Sequence, residues 1–135
     1  MANLVDELLR VNPDKLEELQ TTTYKSHRLA RLLGWEEPVE VTLQELPPDR
    51  LTYLSSLATD RNGDVEQSKT MEAAYTIVAE SCISPDLTDK ELKAHFNVDL
   101  PVDLARKLFG LECSTMTKMI TDLSMPDDEE DTIKN

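Results

Sequence analysis

The stretch VEVTLQEL, residues 39–46, alternates apolar and polar side chains with a period of two. Val39, Val41 and Leu43 fall on one side of this stretch, and the polar residues between them fall on the other. Such alternation is typical of a strand that is buried on one face only. We therefore expect the three apolar side chains to face the interior of the protein. A shift of one residue in strand pairing would expose all three.

A second strand is predicted shortly before the first. The segment TTTYKSHRL, residues 21–29, is rich in threonine and shows no helical stripe. The connection ARLLGWEEP, which contains Gly34 and Pro38, is too short for a crossover helix between parallel strands. The two strands are therefore expected to pair antiparallel as a small hairpin near the start of the chain.

Helical periodicity dominates the rest of the sequence. NLVDELLRVNPDKLEEL predicts two short helical pieces, with Asn12 as the N-cap of the second. Further helices are expected from PPDRL, from about Val65 to Cys82, after a capping box formed by Thr88 and Glu91, from Pro101 to Gly110, and around MTKMITDL. The predicted fold class is α+β, mostly α: a small N-terminal β-hairpin followed by a cluster of four or five short helices.

A length of 135 residues corresponds to one domain. We expect residues 1–124 to form that domain. The remaining stretch, residues 125–135, contains five consecutive acids and is predicted to be a disordered, solvated tail.

The net charge of −13 argues against several classes of partner. Phosphate binding needs a positive surface, so nucleic acid is disfavoured, and so is an anionic membrane. No apolar run approaches the roughly 18 residues of a membrane span, and the start MANLVDELLR lacks the basic region of a signal peptide. A cytoplasmic location is expected.

Two stretches invite a chemical reading. In AESCISPDLTDKELKAHF, Cys82 and His95 could form a nucleophilic pair, but Cys82 ends an apolar helical stripe and only Lys90 is a nearby basic residue. In DRNGDVEQSKTME, Asp60, Asn62 and Asp64 occupy positions 1, 3 and 5 of a calcium loop, but Gly63 is misplaced and Met71 stands where the bidentate glutamate belongs. We therefore predict no catalytic residues, no cofactor and no metal site.

The C-terminal helical stripe is the candidate partner-binding surface: Met116, Met119, Ile120 and Leu123. The unbranched methionine side chain repacks at low cost, which suits docking to a partner. The competing interpretation is that Met116 and Met119 simply complete the core.

The order of the segments resembles the XkdN-like tail assembly chaperones of phages and prophages of Gram-positive bacteria. The resemblance rests on the stretches DKLEELQTTTYKSHRLARLLGWEEPVEVTLQELPPDRL, ISPDLTDKELKAHFNV and LPVDLARKLFGLECSTMTKMITDLS. It implies a non-enzymatic chaperone in the host bacterial cytoplasm that is absent from the mature virion. Its implied client is the tape measure protein, which it keeps soluble, and the tail tube protein is a further implied partner.

Alternatives to this function remain open at the level of sequence. One is a small acidic adaptor or regulatory protein that binds another helical client. A weaker one is a hydrolase with an unrecognised site, which would show a cleft of converging, perturbed titratable groups. The chain is also a candidate for a homo-oligomer.

Overall fold

The computed structural model describes residues 3–59 and 62–124. The helices in these ranges are α1 (Leu4–Leu9), α2 (His27–Leu33), α3 (Pro48–Ser56), α4 (Gln67–Ser81), α5 (Lys90–His95), α6 (Pro101–Phe109) and α7 (Glu112–Ser124). A 3-10 turn, Pro13–Glu17, follows α1, and Asn12 caps it as predicted. The strands are β1 (Thr21–Ser26), β2 (Val39–Gln44) and β3 (Cys82–Ser84).

The three strands form one antiparallel sheet in the order β1-β2-β3. Tyr24 pairs with Val41 across the first two strands, and Leu43 pairs with Cys82 across the last two. The predicted antiparallel pairing and the α+β, mostly α class are confirmed. The third strand was not predicted, because its three residues directly continue the apolar stripe of α4.

The connection between β1 and β2 differs from the prediction. The first strand ends at Ser26 rather than Leu29, and the end of the predicted strand together with the start of the predicted connection forms α2. The hydroxyl of Ser26 accepts a hydrogen bond from the backbone N–H of Leu29 at 3.0 Å, and Gly34 ends the helix with φ of 73°. A local helix fits here because antiparallel neighbours can be joined by any short connection.

The cap of α5 also differs from the prediction by one residue. The side chain of Asp89 accepts the hydrogen bond from the backbone N–H of Leu92 at 2.8 Å, so Asp89 is the N-cap. Thr88 instead donates from both its backbone N–H and its hydroxyl to the carboxylate of Asp86. The acid after Thr88 takes the cap, and the threonine closes the preceding turn.

The core lies where the sheet meets α4 and α7, and α6 packs against both of these helices. Val41 and Leu43 are fully buried, Val39 is half-buried against the core and Glu40 is exposed, so the predicted faces of β2 are confirmed. The largest fully buried side chains besides Leu43 are Phe109, Leu54, Ile77, Leu87, Leu104, Met116 and Ile120.

Helix α1 carries an apolar stripe that the core does not cover. Leu4, Val5, Leu8 and Leu9 expose 72%, 63%, 61% and 78% of their surface.

None of the helices that the structure describes is long and apolar enough to cross a bilayer. The predicted acidic tail, residues 125–135, lies outside the described residues.

Candidate functional site

An apolar groove of about 460 Å³ opens between α2, β2, α5 and α6. Eight of its eleven lining residues are apolar, and they come from segments far apart in the sequence. The apolar lining consists of Leu29, Leu32, Leu33, Val39, Pro85, Leu92, Phe96 and Leu108. We call this surface the apolar groove.

Helix α2 forms one wall of the groove and exposes two of its three leucines. Leu29 is buried and anchors the helix to the core, whereas Leu32 and Leu33 expose 57% and 50% of their surface. Phe96 and Leu92 are half-buried and form part of the lining contributed by α5. Two large leucines in water beside an apolar floor are characteristic of a surface that another molecule covers.

The carboxylate of Glu112 holds α2 in place. It accepts hydrogen bonds from the hydroxyl of Ser26 at 2.6 Å and from the backbone N–H groups of His27 and Arg28, both at 3.2 Å. An acid at this position also complements the positive end of the helix dipole. Burial, reinforced by the charge of Glu112 and a hydrogen bond to it, raises the pKa of Tyr24 to about 12. The groove wall is therefore fastened to the first turn of α7.

One side of the groove is basic. Arg28, Arg31 and Lys107 line an adjoining cavity of about 430 Å³ that shares Leu32 and Leu108 with the groove. Arg28 donates to the carbonyl oxygen of Lys107 at 3.3 Å. Within residues 3–59 and 62–124, none of these three cations forms an ion pair with a carboxylate. We call them the basic rim, which is notable in a chain of net charge −13.

Gly110 makes room for the basic rim. Its φ is 55°, a conformation that L side chains rarely adopt. A Cβ atom at this position would lie 3.2 Å from Cζ of Arg28. A side chain here would therefore push the guanidinium group away from the end of α6.

A second cavity beside the groove is acidic. Asp86, Asp89 and Glu91 line a cavity of about 490 Å³ that shares Leu92 and His95 with the groove. Hydrogen bonds from Thr88 lower the pKa of Asp86, so this carboxylate stays ionised. These three acids form the acidic rim. The apolar groove thus adjoins one basic and one acidic cavity.

The predicted partner-binding residues on α7 are divided by burial. Met116 and Ile120 are fully buried in the core, whereas Met119 and Leu123 are half-buried. Ser124 donates from its hydroxyl to the carbonyl oxygen of Leu46 at 3.4 Å, near the end of the helix. A partner could reach Met119 and Leu123 without moving α7, but not the other two side chains.

Cys82 and His95, considered as a nucleophilic pair, line different cavities. Cys82 is 7% exposed and donates from its thiol to the carbonyl oxygen of Pro85 at 3.1 Å. Burial raises its pKa to about 12, which keeps the thiol protonated at neutral pH. His95 is exposed and packs edge-to-face on Phe96 with ring centroids 4.9 Å apart. The arrangement does not activate the sulfur.

The stretch considered for calcium is described only in part, because Asp60 and Arg61 lie outside the described residues. Among residues 3–59 and 62–124, no three or more His, Cys, Asp or Glu side chains cluster as metal ligands would.

Sequence reasoning missed the apolar groove because its lining residues come from segments that are far apart in the sequence. The signal that could have found it is the pair Ser26 and Gly34, which bracket HRLARLL as a helix cap and a helix stop. That helix places Leu29, Leu32 and Leu33 at the spacing of one apolar helix face.

A sequence model described as "Phage XkdN-like tail assembly chaperone protein, TAC" matches residues 5–134 of the chain. No curated protein and no solved structure matches it.

Proposed function

The chain belongs to the XkdN-like phage tail assembly chaperone family, and from this premise we propose that it binds an apolar helical segment of the tape measure protein. In doing so it keeps that protein soluble and assists assembly of the tail tube, without catalysing a reaction. The chaperone acts in the cytoplasm of the host bacterium and is absent from the mature virion.

The observation that carries this proposal is the apolar groove. An amphipathic helix binds by laying its apolar face into a hydrophobic groove. Leu32 and Leu33 are the exposed anchors on one wall, and Phe96 is an aromatic contact on another. A client helix that covered them would remove apolar surface of both molecules from water, which favours association.

The charge distribution supports the same role. A net charge of −13 keeps a complex with an apolar client dispersed, because charged particles repel each other. The basic rim would attract acidic side chains that flank the apolar face of the client. Electrostatic matching of this kind sets the orientation of a partner more than its affinity.

The stripe on α7 is proposed as a secondary contact. Met119 and Leu123 are accessible to a partner, and the thioether of Met119 can adapt to its shape. Met116 and Ile120 would join only if α7 moved away from the core.

Co-expression with the tape measure protein tests the proposal. We expect the unchanged chain to hold the tape measure protein in the soluble fraction, and Leu32→Asp to fold normally but lose this effect. Leu111→Asp is the matched control, because Leu111 is 76% exposed and does not line the groove. Equal solubilisation by both variants would show that the groove is not the client site.

Two further outcomes are informative in the same assay. Met119→Gln that folds but solubilises less client would establish the secondary contact on α7, and an unchanged result would remove it. If the unchanged chain leaves the tape measure protein insoluble, the proposed client is wrong, and an adaptor for another helical protein becomes the better explanation.

A further inference from the structure

Both the stripe on α1 and the apolar groove are uncovered in the described part of the chain. We propose that α1 of one copy occupies the apolar groove of a second copy, so that two chains form a dimer by exchanging their first helices. An exchange of this kind gives a symmetric interface in which each contact occurs twice.

Helix α1 has the form of a groove-binding helix. Leu4, Val5, Leu8 and Leu9 lie on one face, at the spacing that brings side chains together on a helix. Asp6 and Glu7 lie on the opposite side. The side chain of Asn3 accepts a hydrogen bond from the backbone N–H of Asp6 at 2.9 Å, so the helix is capped before it meets a partner.

The charges of α1 match those around the groove. The acids of α1 stand in its first turn, and Arg10 stands at its C-terminal end. The basic rim adjoins the groove through Leu32 and Leu108, so a bound α1 can bring Asp6 and Glu7 close to these cations. Among the described residues, Arg10 forms an ion pair with Glu7 of its own helix at 3.2 Å, in an exposed position where such a pair contributes little.

The path of the chain favours a second copy over the groove of the same chain. The backbone is fixed at Gln20, whose N–H donates to the carboxylate of Glu45 at 3.0 Å and whose carbonyl accepts from the N–H of Glu45 at 2.7 Å. This anchor lies at one end of β1, and α2 begins at the other end, about 20 Å away at the rise of a strand. To reach its own groove, the segment before Gln20 would have to run back along the whole strand.

The exchange has one consequence that rests on the proposed function. If the client also binds the apolar groove, α1 of the second copy must leave before the client enters. The dimer would then be the form that protects the groove between rounds of assembly. The dimer itself needs no client, so it can be tested alone.

The first test is the oligomeric state of the full chain, measured by sedimentation over a range of concentrations. We expect a dimer that dissociates on dilution, and we expect Leu8→Asp and Leu32→Asp each to raise the dissociation constant at least about 10-fold. Leu16→Asp is the control, because Leu16 is 86% exposed but lies outside α1. Circular dichroism should show that all three variants fold.

The second test mixes the Leu8→Asp chain with the Leu32→Asp chain. One intact helix and one intact groove then remain in each pair, so the mixture should dimerise more strongly than either variant alone. An unchanged chain that stays monomeric at every concentration would overturn the proposal. So would a dimer that neither substitution weakens, or a mixture no stronger than its components. None of these results depends on whether the tape measure protein binds.

Discussion

Helices α1 and α6 carry apolar stripes of similar composition, but only α6 buries its stripe. Leu104 and Leu108 of α6 are 0% and 5% exposed, whereas Leu4 and Leu8 of α1 are 72% and 61% exposed. The stripe of α6 meets α4 and α7 within the same chain. Periodicity therefore tells which face of a helix is apolar, and the neighbours of that helix decide whether the face is covered.

The difference separates stability from binding. Burying a leucine side chain contributes roughly 1.5–3 kcal/mol relative to leaving it in water. Helix α6 gains this within one chain, and α1 can gain it only from another surface. We therefore expect substitutions in the core to act on the free energy of unfolding, and substitutions in α1 to act on association.

The largest expected effect is that of Val41→Asp in β2. Val41 is fully buried, and an unpaired carboxylate in that place would have to lose its hydration. We expect the variant to be unfolded or aggregated at room temperature by circular dichroism. Glu40→Ala, next to it on the exposed face, should change the free energy of unfolding by less than about 0.5 kcal/mol. A normal melting temperature for Val41→Asp would mean that the two faces are reversed.

The second prediction compares a buried with a half-buried side chain of α7. Met116→Gln places an amide in the core and should cost about 2–4 kcal/mol in urea unfolding. Met119→Gln, at a half-buried position, should cost less than about 1 kcal/mol. Equal costs would mean that Met119 contributes to the core as much as Met116 does.

The strand faces could be predicted from sequence because burial repeats with the period of the structure itself. Val41 and Leu43 alternate with polar residues, so only one register keeps them inside. The helix α2 could also have been predicted, since Ser26 and Gly34 bracket it, but the run of threonines before it favoured a longer strand. Strand β3 could not, because CIS has no pattern of its own and pairs only with what the fold brings beside it.

The apolar groove lies beyond sequence prediction for a related reason. Leu32, Phe96 and Pro85 come from three separate segments, and nothing in their local pattern says that they meet. The composition of the methionine stripe of α7 predicted a docking surface, yet two of its four residues, Met116 and Ile120, are fully buried.

The third prediction concerns the free energy of unfolding at alkaline pH, which depends on buried groups of the core. Burial raises the pKa of Cys82 and Cys113 from 9.0 to about 12, and burial near Glu112 raises that of Tyr24 from 10.0 to about 12. Above about pH 9 the unfolded chain releases protons that the folded chain still holds, so stability falls as pH rises toward 12. Urea unfolding at several pH values should show this slope, and Cys82→Ala with Cys113→Ala should reduce it. A slope that the double variant leaves unchanged would contradict the assignment.

The fourth prediction concerns the fastening of α2, on which the groove wall depends. Glu112→Gln keeps the shape of the side chain but removes its charge from the helix N-terminus, which should cost about 1 kcal/mol. It should also lower the pKa of Tyr24, which ultraviolet titration can follow. Asp122→Asn, an exposed acid on the same helix, is the matched control and should change neither quantity. An unchanged pKa would show that Glu112 does not act on Tyr24.

The smallest expected effect on stability is that of Leu8→Asp in α1, and it directly tests the difference between the stripes of α1 and α6. Leu8 is 61% exposed and has no core to leave, so the free energy of unfolding of the dilute, monomeric chain should change by less than about 0.5 kcal/mol. Leu108→Asp, the same substitution in α6, should unfold the protein, because Leu108 is 5% exposed. Urea unfolding at low protein concentration measures both. A large loss of stability in the monomeric Leu8→Asp chain would mean that α1 packs on its own domain, as α6 does.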